Sequence, residues 1–429
     1  MHRLSSVTSG RAEVLRKQVR RHPGLSLFVF AFLVRLPLWL FVSLQRNGSL
    51  FGDDKLYLAM IRDFASNQTD TWSDYHSQLW RLSYSFLLPN GVISKLVGFH
   101  PTLILLMSVV VGSALVGLTT LVLCRHVRTS TALVFGCIFA LMPSQVLWST
   151  LLLKDTYIAL GFVGIYLILQ KLTVANQGKA VLLGFCSITG LLIYVQRIRV
   201  HSLVVVCIAL VLMQLITRPK QLGRLLVFSA LMVVLPWTIG GGPAGIHFLQ
   251  TLSSGMSDQR VAGAINAKTA VVAPIPTVNE PGVVNEAGVV NEAAEPGTAE
   301  RLIDEIRYLP SGFKVMLLDP MPSQLDKSKS LYFAFAEHLL WYPLLVLAFY
   351  GALWRRKWTS DLVYAALLFL GLSTMWGLTE GNFGTAFRHR TEFVWVVIVF
   401  AAIGADRLRD KHSQRKIAQN PCLISANQT

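Results

Sequence analysis

Charge is what this sequence has least of. Only 14% of its 429 residues are Asp, Glu, Lys or Arg, against about 25% in an ordinary soluble domain, which excludes that class. Cysteine is scarce as well. The five present (Cys124, Cys137, Cys186, Cys207 and Cys422) are odd in number, and the first four lie in or at the end of apolar runs, so no disulfide framework is expected. The CxxC and paired-histidine spacings of a structural zinc site are missing. So are the short alternating segments of a membrane β-barrel.

What is plentiful is apolar runs. Hydrophobic residues make up 53% of the chain, and runs of about 17–25 residues are long enough to cross a hydrocarbon core of about 30 Å as helix. The runs predict an all-α polytopic membrane protein of about ten spans, near 24–44, 102–123, 131–148, 156–170, 180–195, 201–216, 225–241, 334–353, 361–378 and 391–405. The division that follows is a basic N-terminus, 1–23, and a seven-span membrane region, 24–241, whose first outer loop is 45–101. A late outer loop, 242–333, precedes three further spans, 334–405, and a basic tail, 406–429.

A net charge of +16 and a pI of 9.9 would suit a nucleic-acid binder. The distribution argues otherwise. With the amino terminus inside, the basic residues populate the short inner turns, as at Arg125 and Arg128, Arg218 to Arg224, and Arg355 to Lys357. The expectation is a chain in the cell (inner) membrane with both termini cytoplasmic, no nucleic-acid partner, and span one acting as an uncleaved signal anchor. The apolar stretch 82–99 is broken by Pro89, Asn90 and Lys95, and a span there would invert every later turn. It is expected to be a helix at the outer interface. Within the late loop, 278–295 carries three copies of a Val-Asn-Glu hexapeptide with recurrent Pro and Gly, the composition of a flexible tether.

That topology sends the unusual polar residues to one face. Asp53 and Asp54 follow span one, with Tyr57 close behind; one carboxylate there can act as general base, and a helix cap is the competing reading. Lys154 and Asp155 stand at the mouth of span four. Two short outer loops carry Arg197, Arg199 and His201, and then Glu380, Asn382, Arg388, His389 and Arg390. Cations there run against the positive-inside bias, and arginine's planar fork suits phosphate. Arg35, inside span one, is an intramembrane charge in need of a partner. Glu337 to Tyr342 read as an interfacial belt.

In Asp53, Asp54 and Tyr57, in the Pro143 to Asp155 stretch and in a multi-span body with a long late outer loop, the chain resembles the GT-C superfamily of integral-membrane glycosyltransferases, particularly the branch related to protein mannosyltransferases and aminoarabinose transferases. Arg307–Gln324, Glu337–Tyr342 and Gly381–Arg390 look like bacterial membrane proteins of that distant kin. The resemblance implies inverting transfer of a sugar from a polyprenyl-phosphate donor to an extracytoplasmic glycan, lipid or protein acceptor. It implies a catalytic group of Asp53, Asp54 and Asp155, with Arg388, Arg390, Arg197, Arg199 and Lys154 on the donor phosphate. Tyr57, Glu380, Asn382 and His389 would line the cavity, and use of a divalent metal is left open. A polymerase or ligase acting on an undecaprenyl-pyrophosphate oligosaccharide, or a lipid or solute transporter or flippase, are the alternatives.

Overall fold

The computed structural model describes residues 17–172, 178–217, 298–321, 330–355, 357–380 and 383–419, and every regular element among them is a helix. The first is α1 (Pro23–Gln45). Three shorter helices follow, α2 (Gly52–Ala65), α3 (Asp74–Leu82) and α4 (Tyr84–Val97). Next come α5 (Pro101–His126), α6 (Thr129–Leu141), α7 (Pro143–Thr150), α8 (Asp155–Leu172), α9 (Gly178–Gln196) and α10 (Val200–Thr217). The carboxyl-terminal part holds α11 (Thr298–Leu317), α12 (Ser330–Leu353), α13 (Ser360–Thr379), the short α14 (Phe383–His389) and α15 (Val394–Gln419).

Seven of these helices are long and apolar enough to cross a membrane, and α6 with α7 makes an eighth if the pair counts as one bent span. Of the ten spans expected, the one near 225–241 lies outside the described residues, as does the 278–295 repeat. The one near 391–405 is the start of α15, which turns charged after Ala405 and so falls short as an independent span. Its apolar part is instead the best-covered helix of the bundle, with residues 394–403 all buried. The 82–99 stretch is α4, whose 14 residues reach only about 21 Å and cannot cross.

The bundle is apolar outside as well as inside. Leu25, Leu33 and Leu44 on α1, Leu182 and Leu183 on α9, and Val346, Phe349 and Leu353 on α12 are all exposed, which suits lipid rather than water as the neighbour. Helices approach closely where side chains vanish. A Cβ on Gly351 or Gly404 would land on a carbonyl of the facing helix, so the α12–α15 crossing depends on both glycines.

The break between α6 and α7 explains the charge in α1. Met142 and Pro143 bend the pair by 57°, which frees carbonyls that a straight helix would have bonded. Arg35, wholly buried, donates to them: Nη1 to Ala140 O at 3.5 Å and Nη2 to Gln145 O at 3.4 Å, with Nε on Ser149 Oγ at 2.6 Å and Nη1 also on Ala31 O at 3.0 Å. Its partner is a kinked backbone, not a carboxylate. That bend turns α7 toward the base of α8.

Candidate functional site

Four separate stretches of chain meet at one end of the bundle: the start of α2, the start of α8, the turn between α9 and α10, and α14 with the 3₁₀ turn Arg390–Glu392 that follows it. Asp155 opens α8 and is fully buried. Its Oδ1 meets Arg199 Nη2 at 3.1 Å and His389 Nδ1 at 3.1 Å, and its Oδ2 lies 3.2 Å from Arg388 Nε as an ion pair without hydrogen-bond alignment. Three cations around one carboxylate repay its burial.

Glu392 is the second buried carboxylate. It pairs with Arg199 Nη1, and accepts from Ser202 Oγ at 3.3 Å and Trp376 Nε1 at 3.4 Å. The Trp376 ring stacks on the His389 imidazole at 3.8 Å, and the Arg199 guanidinium lies 4.7 Å from the centre of the same ring. His389 Nε2 reaches Glu380 Oε1 at 3.1 Å, so both ring nitrogens face carboxylates. Burial and the Arg199 charge work against its proton, but the bonds to Asp155 and Glu380 prevail and hold the imidazolium up to about 9.

Asp53 completes the group from the open side. Its Oδ2 accepts from Arg388 Nη1 at 2.6 Å while its side chain stays 55% exposed, against 0% for Asp155. Arg388 therefore bridges an accessible carboxylate and a buried one. Burial disfavours its charge, but Asp155 and Asp53 together raise it above its ordinary value. Tyr57 is buried beside them, edge-on to Phe86 at 5.3 Å, and burial, then the Asp53 charge, push its phenol up to about 12. Lys154, partly buried at the foot of α8, has no ion pair among the described residues. Burial first and Arg199 second bring it down to about 7, with Asp155 and Asp53 pulling the other way.

Three expected site residues are placed elsewhere. Asp54 turns away from Asp53 and closes the start of α2, accepting from Leu50 N, Phe51 N and Lys55 N at 2.8, 2.9 and 2.8 Å. It is a cap, and its carboxylate is raised by burial against those three donors. Arg390 points to the opposite side of the loop. Its Nε donates to Met316 O at 2.5 Å, its Nη2 to Val315 O at 3.3 Å and to Asp319 O, and its Nη1 meets His338 Nε2 at 2.8 Å. Those carbonyls belong to the end of α11, so Arg390 fastens that helix to the bundle. Arg197 lends its backbone carbonyl to Ser85 N at 3.2 Å, and its side chain joins none of the site's ion pairs. Asn382 lies outside the described residues.

The supposed belt is part of the same fastening. Glu337 accepts from Ser144 N at 2.5 Å and Ser144 Oγ at 2.8 Å, and Trp341 Nε1 and Tyr342 OH donate to Leu317 O and Leu318 O at 2.7 Å each. Glu337, His338 and Trp341 are buried, not interfacial. Conversely, Glu392, Trp376 and Ser202 belong to the site and escape a sequence reading, because each sits within or at the start of an apolar run. A carboxylate two residues after Arg390, opening such a run, was the available signal.

Asp155, His389 and Glu392 have ligand atoms within 4.8 Å of one another, close enough to share a metal ion. They do not fit one as arranged. Arg199 already lies against both carboxylates and meets His389 Nδ1 at 3.0 Å, so an ion there would have to displace the guanidinium. The cluster is a salt-bridge network whose cation is the guanidinium. No family model, no curated protein and no solved structure matches the chain.

Proposed function

We propose that the chain is a membrane glycosyltransferase of the inner membrane, with both termini cytoplasmic, that moves a sugar from a polyprenyl-phosphate donor to an extracytoplasmic acceptor hydroxyl with inversion. The observation that carries the reading is the Asp53–Arg388 pair: an accessible carboxylate and a cation that a buried carboxylate holds in place. Sugar transfer from a phosphate needs those two groups a few ångströms apart.

The chemistry follows from which contact can be exchanged. Arg388 is not spare, so an arriving phosphate must compete for it. Asp155 and Glu392 are 0% exposed and multiply paired, and cannot yield without stranding buried charge. Asp53, more than half exposed and held by one ion pair, can. The donor phosphate takes its place on Arg388, and its negative charge favours the protonated form of the nearby Lys154, which then serves as the second cation. Asp53, released from the guanidinium, becomes a better base and removes the acceptor's hydroxyl proton. The acceptor oxygen then forms its bond to the anomeric carbon from the face opposite the phosphate. The bond from that carbon to the phosphate oxygen breaks, and its electron pair leaves on the polyprenyl phosphate, whose charge Arg388 and Lys154 balance.

Transfer in membranes from a polyprenyl-phosphate sugar, with donor binding measured separately, tests this. Asp53→Asn should lower turnover by about 10²- to 10⁴-fold, the usual worth of a general base, while donor binding is kept or tightened because a competitor for Arg388 has gone. Arg388→Ala should weaken donor binding and slow turnover together. Near-normal transfer by Asp53→Asn with none by Arg388→Ala would transfer the case to a polymerase or ligase that depends on the arginine alone.

A further inference from the structure

The opposite end of the bundle carries a second polar feature that sugar transfer does not use. α13 runs from Ser360 to Thr379, just before Glu380 of the site; its 20 residues span about 30 Å, the thickness of a hydrocarbon core. At its Ser360 end, a cavity of about 390 Å³ opens between the end of α5, the α12–α13 turn and α15. Arg355, Lys357, Arg407, Asp406, Asp410 and His126 are among the residues that line it.

The charges in this cavity are unequally engaged. Asp406 accepts from Thr131 Oγ1 at 2.8 Å, and Asp410 is neutralised by Arg128, which lies outside the lining. His126 is turned inward to Asp361 at 3.2 Å, Tyr166 OH at 2.8 Å and Gln170 at 3.0 Å. On the cationic side, Arg407 donates to Trp354 O, and Arg355 donates through Nε to Lys357 O at 3.1 Å. Neither bond cancels charge. Lys357 is exposed and has no ion pair among the described residues. Three cations thus face one uncompensated carboxylate, a balance that suits a phosphate anion.

The surroundings say what bears the phosphate. Trp354 and Trp358 flank the Arg355–Lys357 turn and are 52% and 43% exposed, the place of tryptophans at headgroup depth. From that level Leu353, Phe349 and Val346 run along α12 as an exposed stripe three to four residues apart, one helix face directed away from the bundle. A free phosphate has no use for such a stripe. We infer that the cavity holds the headgroup phosphate of an anionic phospholipid of the inner leaflet, with an acyl chain along Val346, Phe349 and Leu353. Basic pockets between helices at that depth are a recurrent way of holding such headgroups.

Native mass spectrometry of the purified full chain, titrated with phosphatidylglycerol, phosphatidylcholine or sn-glycerol 3-phosphate, gives the affinities. Phosphatidylglycerol should be retained in preference to phosphatidylcholine, and glycerol phosphate should not compete at equal concentration. At about 1 kcal/mol per basic residue, Lys357→Ala should weaken phosphatidylglycerol by about fivefold and Lys357→Glu by more. Lys357 is exposed, so neither change threatens folding. Lys179→Ala, at the exposed start of α9 on the same end of the bundle and outside the cavity lining, should change nothing. Equal losses from Lys179→Ala and Lys357→Ala would reduce the effect to diffuse surface charge and overturn the site. Equal retention of both lipids would do the same, and full competition by glycerol phosphate would overturn the lipid assignment.

Discussion

Arg388 and Arg390 stand two residues apart on one turn and have opposite fates. Arg388 faces carboxylates, one of them open to solvent, whereas Arg390 faces the carbonyls at the end of α11 and is 3% exposed. A carboxylate can be exchanged for a phosphate of like charge. A carbonyl that closes a helix cannot be given up without leaving buried polar groups unpaired. The lesson is that the partner, not the residue type, separates a cation whose contact can be exchanged from a structural one.

The sharpest way to break that comparison is Arg390→Ala. It should destabilise by several kcal/mol, about 1–3 kcal/mol for each buried carbonyl left unpaired, and it should be read as loss of folded protein in detergent by size-exclusion chromatography. Arg388→Ala, which leaves Asp155 still held by Arg199 and His389, should lower folded yield less. If the two variants fold equally well, the structural role given to Arg390 is wrong.

A smaller effect sharpens the electrostatics. His389 is held up to about 9 from an ordinary 6.5, so it binds its proton more tightly folded than unfolded. Its contribution is complete below about 6.5 and is lost as pH rises through about 9. Thermal stability should therefore decline between those values, and the decline should be shallower in His389→Gln. An equally steep decline in that variant would place the titrating group elsewhere.

Smallest of all should be the deletion of 278–295, the stretch whose composition reads as a tether. Membrane insertion and transfer should stay within about twofold of the intact chain, the size of a change within about 0.5 kcal/mol. A chain that no longer inserts after this deletion would show the repeat to be structural.

The site was legible in part. Asp53, Asp155, Arg199, Arg388 and His389 stood out as charges where apolar residues prevail, and the structure brings them together. Glu380 was visible in the same way and meets His389 at 3.1 Å. Illegible was the choice between neighbours. Asp53 and Asp54 look alike in sequence, yet adjacent positions on a helix point about 100° apart, so one caps α2 and the other meets Arg388. Glu392 was hidden because it opens an apolar run, and its value depends on Arg199, 193 positions away.

By itself, the sequence determined the class of the molecule: apolar runs of spanning length become helices whatever surrounds them, because backbone polar groups in lipid can be satisfied only within the helix. Tertiary structure decided which charge meets which. Asp53 and Arg388 are 335 positions apart, and no local rule joins them. The cost of a buried charge can be met only by an opposite group delivered to the same few ångströms, and delivery belongs to the packing of α2, α8, α10 and α14.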